Sequence, residues 1–255
     1  MTIAARHVEP TEPADAALRP DIHTARVPRL CRACEARHRG ICGALDPAEL
    51  LRLGRTSTRQ TYAAGTTLIA AGERAEHCSN ILSGVVKLSK LLADGRQQVV
   101  ALQFAPDFVG RPFAGDSDVL VEAATDLRVC SFPRRMLETM MTASPAFEAR
   151  MHRQALRQLD EAREWMMALG RKSAAERVAT FLVILSRHAA APDGRRAGEI
   201  DLPLCRADIA DFLGLTAETV SRQLTALRRQ GVVDVVRSRH VTIRDPAALL
   251  CVAAM

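Results

Sequence analysis

The chain has 255 residues, 48% of them apolar and 25% charged, the balance of a packed globular protein and not of a disordered or fibrous one. No apolar run is long enough to span a bilayer, and the first ten residues lack the apolar stretch of a secretory signal, so a cytoplasmic chain without membrane contact is expected. A net charge of +6 suits a polyanionic partner such as nucleic acid.

Residues 1–28 hold four prolines, mixed charges and no sustained period, which reads as a flexible tail. Next comes Cys31-Arg32-Ala33-Cys34-Glu35-Ala36-Arg37-His38-Arg39-Gly40-Ile41-Cys42, three thiols within twelve residues. Simple core packing does not produce that density, and a C-x2-C pair brings two thiolates to one metal or cluster by short-range geometry. Thiols of a cytoplasmic protein stay reduced, so the seven cysteines read as ligands, reactive thiols or small buried hydrophobes before disulfides. Cys78, Cys205 and Cys251 occur singly and read as bystanders.

From 45 to 131 short apolar runs are punctuated by Gly65, Gly72, Gly84, Gly95 and Gly110, the pattern of a small β-sandwich or barrel. Asp94-Gly95 marks a hairpin turn, since both residue types tolerate positive φ. After Pro145 the period changes: Phe147, Met151, Leu156, Leu159, Trp165, Met166 and Leu169 recur at three- and four-residue steps over one long helix. So long an apolar stripe between a β-domain and a helical one is expected to form a coiled-coil dimer seam.

A helix over 176–188 and a polar Pro-Asp-Gly-Arg-Arg break precede a helix-turn-helix pattern at 206–224. Small Ala210 permits close helix approach, Gly214 takes the left-handed turn, Thr216 caps the second helix, and Val220, Leu224 and Leu227 face inward. Glu218, Ser221 and Arg222 then face outward at the helix start, where Arg222 can fork onto guanine, Glu218 can accept from cytosine and Ser221 can lie near a thymine methyl. Two strands, 232–236 and 241–243, joined by Arg237-Ser238-Arg239-His240, read as a basic wing. Arg228, Arg229, Arg237 and Arg239 are expected on phosphates. No paired His and carboxylate, Ser-His-Asp set or phosphate loop is present, so an enzyme is not expected.

With Glu218-Thr219-Val220-Ser221-Arg222, Leu82-Ser83-Gly84 and Ala174-Ala175-Glu176-Arg177-Val178 in view, the chain resembles the CRP/FNR family from about 44 to 247. The resemblance implies an α+β fold: an N-terminal β-roll sensor of the cupin-like jelly-roll kind, a long dimerisation helix and a C-terminal winged helix-turn-helix domain. The corresponding division is a tail at 1–28, cysteine segment and sensor at 29–144, dimerisation helix at 145–170 and DNA-binding domain at 171–255. It implies a homodimer on a two-fold palindrome of the TTGAT kind, and RNA polymerase contact for which the Ala93-Asp94-Gly95-Arg96 hairpin is the candidate. Where cyclic-nucleotide members carry an acid for the ribose and an arginine for the phosphate, this chain has Gly110-Arg111 and Ser117-Asp118, so no cyclic nucleotide is expected. The cysteine segment resembles that of the oxygen-responsive FNR branch, of FnrN/FnrL type. By that resemblance Cys31, Cys34, Cys42 and the distant Cys130 hold an oxygen-labile [4Fe-4S] cluster. The alternative is a cluster-independent regulator using thiol redox chemistry or zinc, the latter closed by Cys31, Cys34, His38 and Cys42.

Overall fold

The computed structural model describes residues 27–32, 34–189 and 198–254. The tail expected over 1–28 therefore lies outside the described residues except for Val27 and Pro28, and so does the polar break after the 176–188 helix. Val27 is buried and accepts a hydrogen bond at its carbonyl from Arg32, next to the first cysteine.

Two compact units divide the chain, one of 1–88 and 102–159, the other of 89–101 and 160–255. The first opens with short helical pieces, α1 (Arg29–Arg32), α2 (Glu35–Arg39) and a 3₁₀ turn (Ile41–Ala44), followed by α3 (Pro47–Thr56). Helix α3 corrects the sequence reading, which began the β region at 45. Asp46 accepts from the amides of Ala48 and Glu49 while Glu49 reaches back to the Asp46 amide, and Pro47 presets the first helical φ. This reciprocal cap starts a helix whatever the apolar run that follows suggests.

The expected β-roll then follows as two four-stranded sheets. One has the order β1 (Thr58–Tyr62), β8 (Leu127–Pro133), β3 (His77–Ser83), β6 (Phe108–Val109). The other runs β2 (Thr67–Ile69), β7 (Leu120–Ala123), β4 (Val85–Leu91), β5 (Gln97–Phe104). Strand alternation sorts the first sheet's side chains. Leu127, Val129 and Ile81 point into the sandwich with Val86, Val121 and Ala123. Cys78 and Phe132 point out, into a second core with Ile41, Leu53, Leu137, Met140, Phe147 and Met151. Burying a side chain such as Phe132 contributes about 1.5–3 kcal/mol, so this outer core fixes the helical pieces against the sheet.

Helix α4 (Arg134–Ala143) leads to α5 (Pro145–Arg171), the long helix anticipated from the apolar stripe. The stripe does not act as one seam. Phe147 and Met151 are spent on the outer core of the first unit, and Trp165 packs edge-on against Phe212 in the second, ring centroids 4.4 Å apart. Leu156, Leu159 and Met166 are the members left exposed.

The second unit carries α6 (Ala174–Ala189), α7 (Arg206–Leu213), α8 (Ala217–Arg229), α9 (Pro246–Ala254) and a sheet of order β10 (Val233–Val236), β11 (His240–Ile243), β9 (Glu199–Asp201). Between α7 and α8, Gly214 takes the left-handed conformation (φ 61°, ψ 43°) and its amide closes on the Ala210 carbonyl, giving the sharp turn of a helix-turn-helix.

Candidate cysteine centre and nucleic-acid interface

The four cysteines singled out come from four local structures. Cys31 lies on α1, Cys34 caps the start of α2 in an extended conformation, Cys42 sits in the 3₁₀ turn and Cys130 on β8. Cys42 and Cys130 both pack against the outer core, because β8 turns Cys130 to the same side as Phe132. Burial raises the Cys31, Cys42 and Cys130 thiols above their ordinary range, Cys130 to about 11; like charge from Cys34 adds to it at Cys31, from Cys31 and Cys34 at Cys130, and from the other three at Cys42.

Donors and cations surround them. Asn80 donates to Cys42 Sγ at 3.2 Å, the Ser57 hydroxyl favours the charged form of Cys130, and Arg59 acts on both Cys31 and Cys130. Arg59 and Asn80 are the register partners of Cys130 on either side, on β1 and β3, so all three share one face of the sheet. No carboxylate figures among the groups that shift these three thiols, nor does His38, which is exposed at the end of α2. Among the described residues no three His, Cys, Asp or Glu side chains are grouped closely enough to hold a metal ion as they stand. The chemistry of the donor set nonetheless fits a thiolate-bound centre: four soft sulfurs, with N–H and O–H donors and cations to offset thiolate charge.

The segment between Cys34 and Cys42 is held from α5. Arg150 donates from Nε to the Gly40 carbonyl at 3.2 Å and from a terminal nitrogen to the Arg39 carbonyl. One turn further on, buried Gln154 donates to Asp107 Oδ1 at 3.1 Å, and a Cβ on Gly40 would meet the Pro106 carbonyl at 3.1 Å. The cysteine loop is thus clasped between the β5–β6 turn and α5. Sequence reading missed Arg59, Asn80 and Arg150. Asn80 alone left a signal, a polar amide inside a strand whose neighbours are apolar.

Beside α5 the β-roll encloses a cavity of about 340 Å³, bordered by Gln103, Gly110, Arg111, Ser117 and Gln158. Arg111 pairs with Asp118 at 3.1 Å, both exposed.

The residues expected to read DNA lie at the other end of the chain. Thr216 Oγ1 accepts from the Thr219 amide at 3.1 Å, capping α8, while Val220, Leu224 and Leu227 are buried. Glu218, Ser221 and Arg222 are exposed on the opposite side of the first turns. No ion pair joins Glu218 to Arg222 among the described residues; the Arg222 guanidinium turns to Thr219 Oγ1. Arg228, Arg229, Arg237 and Arg239 are exposed. The wing turn holds Arg237 and Ser238 at positive φ, and Arg206, at the start of α7, donates to the Ser238 carbonyl at 2.8 Å.

A β-roll unit, a long helix and a winged helix-turn-helix define a DNA-binding transcription regulator. Residues 59–144 match the cyclic nucleotide-binding domain and residues 176–252 the Crp-like helix-turn-helix domain. Over 86% of this chain and 90% of the relative's, the sequence is 50% identical to a probable transcriptional activator of Rhizobium leguminosarum bv. viciae. Over the same shares it is 42% identical to the transcriptional activator protein FnrL of Cereibacter sphaeroides. The structure of FixK2 from Bradyrhizobium japonicum superposes with a TM-score of 0.72 at 33% identity, covering 78% of this chain and 98% of that one. The chain belongs to the CRP/FNR family of transcription regulators. No helix among the described residues is long and apolar enough to cross a membrane.

Proposed function

We propose that the protein is an oxygen-responsive transcription activator in which Cys31, Cys34, Cys42 and Cys130 hold a [4Fe-4S] cluster. The observation that carries this reading is the meeting of Cys42 and Cys130 on one face of the sheet, where both pack on the outer core and Asn80, the register partner of Cys130, donates to Cys42 Sγ, while Cys31 and Cys34 act on both thiols as like charges. Involvement of Cys130, which a zinc site made with His38 does not need, favours the cluster over zinc. When bound, the cluster supplies an iron–sulfide core whose integrity depends on oxygen.

The chain's own residues supply the rest. Arg150 ties the Cys34–Cys42 loop to α5, so an ordered loop steadies the first turns of that helix. Leu156, Leu159 and Met166, exposed further along it, form the seam for a second copy of the chain. The dimer presents two copies of α8 to successive major grooves of a TTGAT-type palindrome. Glu218, Ser221 and Arg222 read base edges, and Arg237 and Arg239 hold phosphates. A monomer offers one half-site reader and loses much of the specific binding energy. Gly110-Arg111 and Ser117-Asp118 provide no acidic ribose ligand in the cavity beside α5, so the reading needs no cyclic nucleotide. The exposed Ala93–Arg96 turn, stiffened by the Asp94–Arg96 ion pair, is the candidate RNA polymerase contact.

Anaerobic sedimentation and binding to a TTGAT palindrome, before and after exposure to air, test this function. We expect a dimer that binds DNA without oxygen and a monomer that does not bind after air, with Cys42→Ser monomeric throughout. An unchanged dimer fraction and unchanged DNA affinity in air would overturn it.

A further inference from the structure

Asn80 is 2% exposed, at the middle of β3, with its backbone paired to β8 on one side and β6 on the other. Its amide is only half used: Nδ2 donates to Cys42 Sγ at 3.2 Å, while Oδ1 is buried without a hydrogen-bond partner. An unpartnered buried acceptor is a standing cost to the fold, one that an apolar side chain of the same shape would not incur. The other such atoms among the described residues belong to Gln103, Arg134 and Gln158, all of which border the cavity beside α5. Asn80 does not border it. What Asn80 gains in return is its position. It is the cross-strand partner of Cys130 and the hydrogen-bond donor to Cys42, so one residue stands beside two of the four cysteines, which lie far apart along the chain.

We propose that Asn80 is a positioning residue that sets the reduction potential of the centre held by these cysteines, through its N–H bond to Cys42. The inference rests on the proposed function, since it requires a redox-active centre on those sulfurs. Its physical basis is charge: an N–H dipole aimed at a ligand sulfur stabilises the more negative, reduced form over the oxidised one, and hydrogen bonds to sulfur are among the levers that fix such potentials. Removing the donor should therefore lower the potential. It should not weaken the fold, because the orphaned carbonyl leaves with it.

The test compares wild type, Asn80→Leu and Asn80→Asp, purified without oxygen, for iron and sulfide per chain, thermal midpoint and one-electron reduction potential. We expect both variants to retain wild-type iron and Asn80→Leu to melt no lower than wild type. In both, the redox equilibrium should shift at least tenfold toward the oxidised form, equivalent to about 59 mV for one electron. The leucine variant thus separates the two roles, since a merely structural residue would lower the melting temperature and leave the potential of the loaded protein alone. Variants that hold iron at the wild-type potential overturn the inference and leave the proposed function standing. Variants that lose both iron and thermal stability overturn it too, by making Asn80 a packing residue. Wild-type protein without iron or sulfide overturns the proposed function, and the inference with it.

Discussion

Arg150 on α5 and Gly40 in the cysteine loop are joined by a hydrogen bond of 3.2 Å across 110 positions of sequence, and the same guanidinium also holds the Arg39 carbonyl. The planar fork of an arginine suits two neighbouring carbonyls, which a lysine ammonium would serve as a single point charge. Hydrogen bonds from charged groups contribute about 1.5–3 kcal/mol when buried, and partial exposure here reduces that. Arg150→Gln should cost about 1 kcal/mol, a fall of about 2–4 °C in thermal midpoint. Amide exchange should rise over residues 40–45 and stay unchanged in β3 and β8. Equal exchange at 40–45 in variant and wild type would mean that the loop is ordered without the clasp.

The two classes of arginine in the second unit should separate by what they read. Arg222→Ala should cost about 1–3 kcal/mol on the palindrome and relax preference at the base it faces. Arg239→Ala should weaken all sequences alike and reduce the slope of log K against log salt by about 0.9 per chain. Fluorescence anisotropy titrations at several salt concentrations distinguish them, and a salt slope unchanged in Arg239→Ala would remove the wing from the phosphate contacts.

Gly84, where β3 turns into β4, has φ 92°, and a Cβ there would stand 2.3 Å from the Asp126 carbonyl oxygen. Gly95, at the β4–β5 turn, also has positive φ (87°) but open space around the same position. Gly95→Ala should cost about 1 kcal/mol of backbone strain alone. Gly84→Ala should cost several times as much, because the backbone of the β7–β8 turn must move. Denaturant midpoints of the two variants give the comparison, and equal losses would contradict it.

How much of this was legible in the sequence depended on distance along the chain. The turn at Gly214 and the cap at Thr216 are local and stand in the sequence as they stand in the structure. Helix α3 was legible in principle, since Asp46-Pro47-Ala48-Glu49 spells a capping box, but the reading began the β region at Leu45 and passed over it. On α5 the period was clear, yet it could not divide Phe147 and Met151, which the outer core takes, from Leu156 and Leu159, which stay exposed. The ties of Asn80 to Cys42 and of Arg150 to Gly40 have no periodic trace, since only the folded sheet and helix bring those pairs together.

At the start of α6, Glu176 Oε2 accepts from the Ser173 amide at 2.5 Å, and Ser173 Oγ accepts from the Glu176 amide at 3.4 Å. The bonds from Ser173 hold the exposed Glu176 carboxyl below its ordinary value of 4.5. A carboxylate whose folded pKa lies below its unfolded one adds stability above the unfolded value and loses it as pH falls through the folded value. The difference in thermal midpoint between wild type and Glu176→Gln should thus be constant above about pH 5 and shrink as pH falls further. A difference that persists unchanged at pH 3 would show that the charge plays no part in the cap.

The most direct test of the cysteine centre is the iron and acid-labile sulfide content, with the visible spectrum, of protein purified without oxygen, beside Cys42→Ser and Cys130→Ser. We expect about four irons and four sulfides per chain, lost in air and absent from both variants. Colourless wild-type protein without iron that still bound the palindrome would leave a CRP/FNR regulator whose cysteines serve some other purpose.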